Sequence, residues 1–333
     1  RIDLLTRADG RMRQQTVAAA ERIRGPVCPQ EHVAAPVLAW AERREGGWNL
    51  VVWRDGVPRI VTRQAHPLRC PQVALLGDGT VFAIERDDAA DECEVVLLDE
   101  CGNALLRAPG RKPVLVAGDG TLLLLTEEAG PNEVRLRLRE LRGGEVTAEE
   151  ELGAGDFLIN ADMAWYASEQ AVLIAAENSP AFGYGNELGL HRTLHAWRGR
   201  PGDLAALPED GSALPVERSA FRSLGPENRT PVQPQAVWDG ATPVIAFRQF
   251  RYFKHKTFGW DVLWCRWNGT AWSAPERLTQ SLGSPDMTCA LVKTGDAFFG
   301  FFPAHDNDGG PRRSTGHRVE IVELAPHDLQ PPV

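Results

Sequence analysis

The sequence predicts an all-β fold built as a single β-propeller, and three observations predict it. A unit of about 42 to 50 residues recurs along the chain, which is the length of a propeller blade. Each unit contains one apolar and one amphipathic hairpin, and therefore four antiparallel strands. No segment competes as a helix, because the weak helical pattern at 14–24 has no clear cap at its end.

The apolar hairpins show the repeat most clearly. Cys28-Pro29-Gln30, Cys70-Pro71-Gln72 and Lys112-Pro113-Val114 place three prolines 42 residues apart. Residues 71–86 and 113–128 each read as two apolar strands joined by Gly-Asp-Gly-Thr, in which Asp-Gly supplies the positive φ of a tight turn. We expect each proline to begin a strand, where it removes no hydrogen bond from the ladder.

The amphipathic hairpins are expected to form the outer strands, because one face of each alternates with polar residues. They lie at 47–63, 93–109, 132–152 and 259–279. Inner hairpins number six, which predicts six blades, with seven as the alternative because 177–230 is long and irregular. Residues 1–18 form an outer hairpin without an inner partner, so strands from both termini are expected to close the ring. The whole chain, 1–333, is then one propeller domain with an irregular insertion at about 199–231.

Composition restricts the function classes. The chain has 333 residues, a net charge of -9 and 43% hydrophobic residues, which argues against general nucleic-acid binding. No run approaches the roughly 18 apolar residues that a membrane span requires, and six cysteines are too few for a disulfide scaffold. The opening residues show no signal segment, which slightly favours a cytoplasmic location.

Three enlarged polar segments indicate where a site would lie. In a propeller, the loops between second and third strands share one face with the entries to the first strands, and these loops are long at 177–187, 247–261 and 303–313. The stretch 247–261 combines six aromatic residues with several cations in an acidic chain. The catalytic candidates are His255, Tyr252, His305 and Asp306, and the substrate-binding candidates are Arg248, Arg251, Trp260, Tyr184, Asn186 and Gln235.

These residue types suit chemistry next to a carboxylate. An arginine would neutralise the carboxylate of a uronate sugar while histidine or tyrosine removes or returns a proton, which favours eliminative cleavage. A pair of carboxylates among Asp162, Glu177, Glu187, Asp286, Asp306 and Asp308 would instead support glycoside hydrolysis. The polar strand entries, such as Asn160 and Gln233, would contact a ligand or hydrogen-bond water in the channel.

Cofactor signatures are missing from the sequence. It contains no glycine-rich phosphate loop, no GxSxG elbow and no zinc-finger spacing, so no cofactor is predicted and a divalent metal at the propeller axis stays open. The expected partner is an anionic carbohydrate or another small molecule, with a protein partner on the long-loop face as the rival. Neither nucleic acid nor a membrane is expected as a partner.

The outer hairpin from Gly259-Trp260-Asp261-Val262 to Pro275-Glu276-Arg277-Leu278, followed by Ser281-x-Gly283-x-x-Asp286, resembles blades of the bacterial sialidase-like (BNR-type) β-propeller superfamily. It is similar in particular to propellers found beside PHP-related domains. The chain lacks the Asp-box, Ser-x-Asp-x-Gly-x-Thr-Trp, and matches no full arginine triad with a tyrosine nucleophile. Related propeller families include polysaccharide lyases that use His, Tyr and Arg. The resemblance therefore favours elimination, while a non-catalytic ligand- or protein-binding module is the alternative.

Overall fold

The computed structural model describes residues 2–8, 11–30, 37–77, 79–87, 93–153, 157–179, 192–215, 231–253, 257–278, 290–294, 297–307 and 314–324. For the strand residues 3–8, 11–13, 87, 231–232, 250–253, 257–261 and 290–324 the description covers the backbone alone. The described chain is almost entirely antiparallel β-structure, interrupted by one short 3-10 turn at Ala167–Glu169. No helix in these ranges is long and apolar enough to cross a membrane.

The chain divides into two compact units. The first contains residues 1–129 and 136–152, and the second contains residues 130–135 and 153–333. The predicted single domain, the number of blades and the closure of the ring by both termini stay predictions. Each unit is built from sheets whose strands follow chain order.

The strands up to residue 152 form a hairpin and three four-stranded sheets. The hairpin pairs β1 (Ile2–Ala8) with β2 (Arg11–Ala18). The first sheet contains β3 (Arg22–Val27), β4 (Leu38–Arg44), β5 (Gly47–Arg54) and β6 (Val57–Gln64). The second contains β7 (Leu68–Leu76), β8 (Gly79–Asp87), β9 (Cys93–Leu98) and β10 (Ala104–Pro109). The third contains β11 (Arg111–Gly118), β12 (Thr121–Ala129), β13 (Val134–Arg142) and β14 (Glu145–Leu152).

The strands after residue 152 form three further sheets. The fourth sheet contains β15 (Leu158–Tyr166), β16 (Ala171–Asn178), β17 (Thr193–Arg200) and β18 (Asp203–Leu207). The fifth contains β19 (Pro231–Asp239), β20 (Thr242–Phe253), β21 (Thr257–Arg266) and β22 (Glu276–Arg277). The sixth, as described, contains β23 (Ala290–Thr294), β24 (Ala297–Asn307) and β25 (Ser314–Leu324).

Local sequence explains the hairpins. In β13, Val134, Leu136 and Leu138 are buried while Arg135 and Arg137 are partly exposed, as strict alternation predicts for a strand with one wet face. Asp119 and Gly120 join β11 to β12 with φ of 51° and 74°, so both central residues adopt the positive φ of a type I′ turn. The predicted apolar and amphipathic hairpins are confirmed in these sheets.

The proline repeat has a different structural basis from the predicted one. Pro71 and Pro113 lie inside β7 and β11, at a one-residue β-bulge, and do not begin their strands. A bulge leaves a residue out of the ladder, so a residue without an N–H is tolerated there. In the first sheet the same bulge contains Gly25 and Pro26 rather than the predicted Cys28 and Pro29.

The core lies between neighbouring sheets within each unit. Phe82 of the second sheet is fully buried and packs with residues of the first, and Phe247 of the fifth is fully buried in a cluster with residues of the fourth. Fully burying a side chain of this size stabilises a fold by about 1.5–3 kcal/mol. The surfaces that pack between neighbouring sheets of a unit are thus apolar.

Two predicted segments differ from the structure. Asp203–Leu207, inside the expected insertion at about 199–231, is the outer strand of the fourth sheet, and Leu214 is buried in the core of the fourth and fifth sheets. The stretch 247–261 is mostly the paired ends of β20 and β21, with residues 254–256 between them, rather than a long loop. The backbone groups of residues 247–253 and 257–261 pair with each other, so the hairpin ladder continues to its tip.

Candidate functional site

A charged or polar residue recurs near the end of the second strand of several sheets. Glu85, Glu127 and Glu177 occupy the same register position in β8, β12 and β16, and they are 5%, 1% and 0% exposed. We call this position the facing residue, since it pairs with the strand residue just before the bulge. In the fifth sheet the facing residue is Arg248, which pairs with Val232.

The first residue of each bulge adopts left-handed backbone. Cys70, Lys112, Asn160 and Gln233 have φ of 43°, 44°, 50° and 52°, and we call them the bulge residues. A side-chain-bearing residue in this region costs on the order of 1–2 kcal/mol, so the surroundings must hold it there. The register shift of each bulge releases the N–H of this residue from the ladder of its own sheet.

Two glutamates hold the released N–H of the next sheet. The N–H of Lys112 donates to Glu85 Oε2 at 2.8 Å, and the N–H of Gln233 donates to Glu177 Oε1 at 2.6 Å. The same contact therefore joins the second sheet to the third and the fourth sheet to the fifth. A charge-assisted hydrogen bond of this kind stabilises the strained backbone that donates it.

Glu177 is the centre of the most complete of these arrangements. Its Oε1 also accepts a hydrogen bond from Asn160 Nδ2 at 2.8 Å, and its Oε2 accepts one from Arg192 Nη1 at 2.7 Å. A fully buried carboxylate is costly unless it is paired and hydrogen-bonded, and three donors meet that need here. Arg248 extends the arrangement, because its Nη1 donates to Gln233 Oε1 at 2.6 Å. We call Asn160, Glu177, Arg192, Gln233 and Arg248 the polar cluster.

The fifth sheet reverses the polarity of a contact that recurs in three other sheets. In the second, third and fourth sheets the bulge residue offers a proton to a facing glutamate, whereas in the fifth sheet it offers an oxygen to a facing arginine. The four pairs are Cys70 with Glu85, Lys112 with Glu127, Asn160 with Glu177, and Gln233 with Arg248. The change of sign coincides with the cationic segment that the sequence analysis singled out.

Asp162 lies beside the polar cluster on β15. Its Oδ2 accepts the N–H of Ala236 in the fifth sheet at 2.9 Å, so a second carboxylate of the fourth sheet contacts the fifth. Burial raises the pKa of the Asp162 carboxyl to about 6, although the backbone hydrogen bonds from Ala236 and Met163 act in the opposite direction. Asp162 therefore titrates near neutral pH while it is held in a fixed position.

The structure brings part of the predicted site together. Arg248 belongs to the polar cluster, and the partly buried Gln235 lies one residue beyond the bulge of β19. Because β20 and β21 pair without a register shift, Arg248, Tyr252 and Trp260 occupy positions on one face of the hairpin. Arg251 occupies a position on the opposite face. His255, Tyr184 and Asn186 lie outside the described residues.

His305 and Asp306 were predicted to lie in a loop, but both belong to strand β24. β24 continues through Asn307, and His305 pairs in register with His317 of β25. The loop prediction was wrong because the strand continues through Pro303 and the polar residues after it, which pair with β25. The predicted catalytic roles of both residues stay a prediction.

Sequence reasoning singled out Glu177, Asn160 and Gln233 as polar candidates but missed how they combine. The signal was present as a glutamate that recurs near the end of the second strand in three sheets, in Glu85, Glu127 and Glu177. For Arg192 the sequence offered no signal, since it follows a long irregular segment. In the described part of the chain, no three His, Cys, Asp or Glu side chains lie together as metal ligands would.

Comparison with known proteins agrees with the fold. Neither a family model nor a curated protein matches this chain. It is similar in structure to a subtype N10 neuraminidase-like protein of A/little yellow-shouldered bat/Guatemala/060/2010, with a TM-score of 0.50 and 8% identity over 84% of this chain and 89% of that one. It is also similar to the β-propeller domain of the Trilobed protease from Pyrococcus furiosus, with a TM-score of 0.43 and 10% identity over 89% and 96% of the two chains. An α-L-arabinanase of Cellvibrio cellulosa, complexed with arabinohexaose, gives a TM-score of 0.42 and 12% identity over 78% and 96%.

The first of these similarities and the repeated four-stranded antiparallel sheets define the class of protein. The chain has an all-β fold of the β-propeller type, similar to the fold of the neuraminidase-like protein. At 8% identity the likeness concerns the fold alone. The predicted association with PHP-related domains stays a prediction.

Proposed function

We propose that Arg192 and Arg248 of the polar cluster, together with the adjoining face of the β20–β21 hairpin, bind an anionic sugar of the uronate type. The observation that carries this proposal is the reversal of charge at the facing position. Three sheets have a glutamate there, and the fifth has Arg248. A guanidinium group binds a carboxylate through two parallel hydrogen bonds, which makes arginine suited to recognising a uronate.

Two aromatic residues and a second arginine support a sugar as the anionic ligand. Trp260 and Tyr252 occupy positions on the same face of the hairpin as Arg248. Aromatic side chains pack against the apolar face of a sugar ring, while a few polar groups fix its orientation. Among the residues that the structure describes, the buried Nε of Arg192 donates to no acceptor. A carboxylate or hydroxyl group of a ligand would satisfy it.

Elimination is the reaction that these residue types favour. Arg248 would stabilise the negative charge that develops on the sugar carboxylate as the C5–H bond breaks. His255 or Tyr252 would accept that proton, the C4–C5 double bond would form and the C4–O bond would break. A second acid, His305 or Asp306 in this proposal, would protonate the departing oxygen. No electron carrier or metal is needed to balance this step.

The proposal is tested by the affinity of the protein for trigalacturonate and for its uncharged counterpart, trigalactose. Arg248→Gln is the informative variant. Arg266→Gln is the matched control, because Arg266 belongs to the same sheet but pairs with Asp239 at the opposite end of β19 and β21. Calorimetric titration would measure binding, and ultraviolet absorbance of an unsaturated product would measure elimination.

We expect the wild type and Arg266→Gln to prefer trigalacturonate. Arg248→Gln should lose roughly 10- to 100-fold in affinity for it, the range that corresponds to one charge-assisted hydrogen bond. Equal affinity of the wild type for the two trisaccharides would overturn the proposal. Binding without any unsaturated product would retain the anion site and remove the lyase, leaving a non-catalytic module.

A further inference from the structure

Gln233 connects two parts of the polar cluster that do not bond to each other directly. Its backbone N–H donates to Glu177 Oε1 at 2.6 Å, and its side-chain Oε1 accepts from Arg248 Nη1 at 2.6 Å. The backbone contact reaches back to the fourth sheet, and the side-chain contact stays within the fifth. The position of the arginine is therefore coupled to the carboxylate through one residue.

The backbone of Gln233 makes this coupling sensitive. Its φ of 52° lies in the left-handed region, which disfavours a residue with a side chain. The hydrogen bond to Glu177 stabilises this conformation. Without that acceptor, we expect the Gln233 backbone to lower its free energy by rotating towards the φ of an ordinary extended strand. Such a rotation would redirect the Gln233 side chain and remove an oxygen that accepts a hydrogen bond from Arg248.

Glu177 is itself held firmly and is not placed to contact a ligand. It is 0% exposed, and Asn160 and Arg192 donate to it at 2.8 and 2.7 Å. Three donors already meet the hydrogen-bonding need of this carboxylate, and its complete burial keeps a substrate hydroxyl away from it. Its influence on the site therefore acts through Gln233.

The second and third sheets contain the same arrangement, but its facing residue is a glutamate instead of an arginine. Glu85 accepts the N–H of Lys112 at 2.8 Å, and Lys112 Nζ lies 3.4 Å from Glu127 Oε1. At both junctions a glutamate contacts a bulge residue of the next sheet, and that bulge residue contacts its own facing residue. The facing residue is the carboxylate Glu127 in the third sheet and the guanidinium of Arg248 in the fifth. This recurrence supplies a matched control within the same chain.

We propose that Glu177 is a positioning residue that orients Arg248 through Gln233 and so sets the preference of the site for an anion. This inference rests on the proposed function, because it assigns a role within that binding site. A purely structural role for Glu177 would weaken the binding of charged and uncharged ligands alike. A positioning role would reduce the preference for the charged ligand.

The test compares Glu177→Gln with Glu85→Gln in the intact protein, with thermal unfolding to confirm that both fold. Glutamine retains the shape of the side chain but has one oxygen for the three donors, so the Gln233 contact weakens. The first measurement is the exchange rate of the Arg248 Nε proton by nuclear magnetic resonance on arginine-labelled protein, assigned with Arg248→Gln. The second is the ratio of affinities for trigalacturonate and trigalactose.

We expect Glu177→Gln to accelerate exchange at Arg248 and to lower the affinity ratio roughly tenfold, while Glu85→Gln changes neither. Unchanged exchange at Arg248 in Glu177→Gln would overturn the inference whether or not the trisaccharide binds. An equal loss of the affinity ratio in Glu85→Gln would also overturn it. If instead the wild type shows no preference for trigalacturonate but exchange responds as expected, the positioning role stands and the proposed ligand is wrong.

Discussion

The junction between the second and third sheets and the junction between the fourth and fifth share one backbone design and differ in charge. In both, a buried glutamate accepts the N–H of a left-handed bulge residue, Lys112 in one and Gln233 in the other. The first junction then ends on Glu127 and the second on Arg248. A repeated fold can thus keep its structural contacts while the charge at an equivalent position changes sign. In our proposal this change of sign makes the end of the fifth sheet an anion-binding site.

The largest expected difference between the junctions concerns stability. Glu177→Ala removes the acceptor of three donors, including the guanidinium of Arg192, and breaking a buried ion pair costs about 3–5 kcal/mol. The side chain of Arg192 is 29% exposed, so we expect the lower end of that range, about 3 kcal/mol.

Glu85→Ala provides the comparison, since it removes the acceptor of the Lys112 N–H and should cost about 1–2 kcal/mol. Urea unfolding of both variants measures the difference in the free energy of unfolding. A loss for Glu85→Ala as large as that for Glu177→Ala would show that Arg192 adds nothing to the second junction.

A smaller effect distinguishes the fourth–fifth junction by its pH dependence. The pKa of Asp162 is about 6 in the folded protein, above its ordinary value of 3.8, because burial disfavours the carboxylate. The folded state therefore binds this proton more tightly than the unfolded state. The resulting contribution to stability is present below pH 3.8 and is lost as pH rises to about 6.

Asp162→Asn should remove this decrease in the free energy of unfolding with rising pH, which is at most about 1.4 kcal/mol per pH unit. Urea unfolding at intervals between pH 4 and pH 7 would compare the variant with the wild type. Parallel stability curves for the two proteins would mean that Asp162 titrates at its ordinary pKa and carries no desolvation penalty.

The sequence predicted which segments form strands better than it predicted where those strands begin and end. Alternation in β13 and the Asp119-Gly120 turn are local signals, and local signals predicted most hairpins correctly. Pro71 and Pro113 were placed at strand starts, because a sequence does not reveal that a bulge will accommodate a missing N–H within the ladder. The polar run after Pro303 was read as a loop for the same reason, since polar residues at a strand end pair as readily as apolar ones.

The candidate site was predictable residue by residue but not as an arrangement. Arg248 stood out by its charge in an acidic chain, and Glu177 stood out as a carboxylate at the end of a strand. The contact between them passes through Gln233, which is 56 residues from Glu177 in the chain and adopts an unusual φ. Contacts of this length depend on how neighbouring sheets align, which no single stretch of sequence encodes.

The central claim is that the sign of the charge at residue 248 sets the ligand class, and Arg248→Glu tests it most directly. This substitution gives the fifth sheet the facing residue found in the second, third and fourth sheets. Calorimetric titration of the wild type should show tighter binding of trigalacturonate than of trigalactose, and Arg248→Glu should lose that preference by roughly 100-fold or more. A folded Arg248→Glu variant that still prefers trigalacturonate to the same degree would contradict the account.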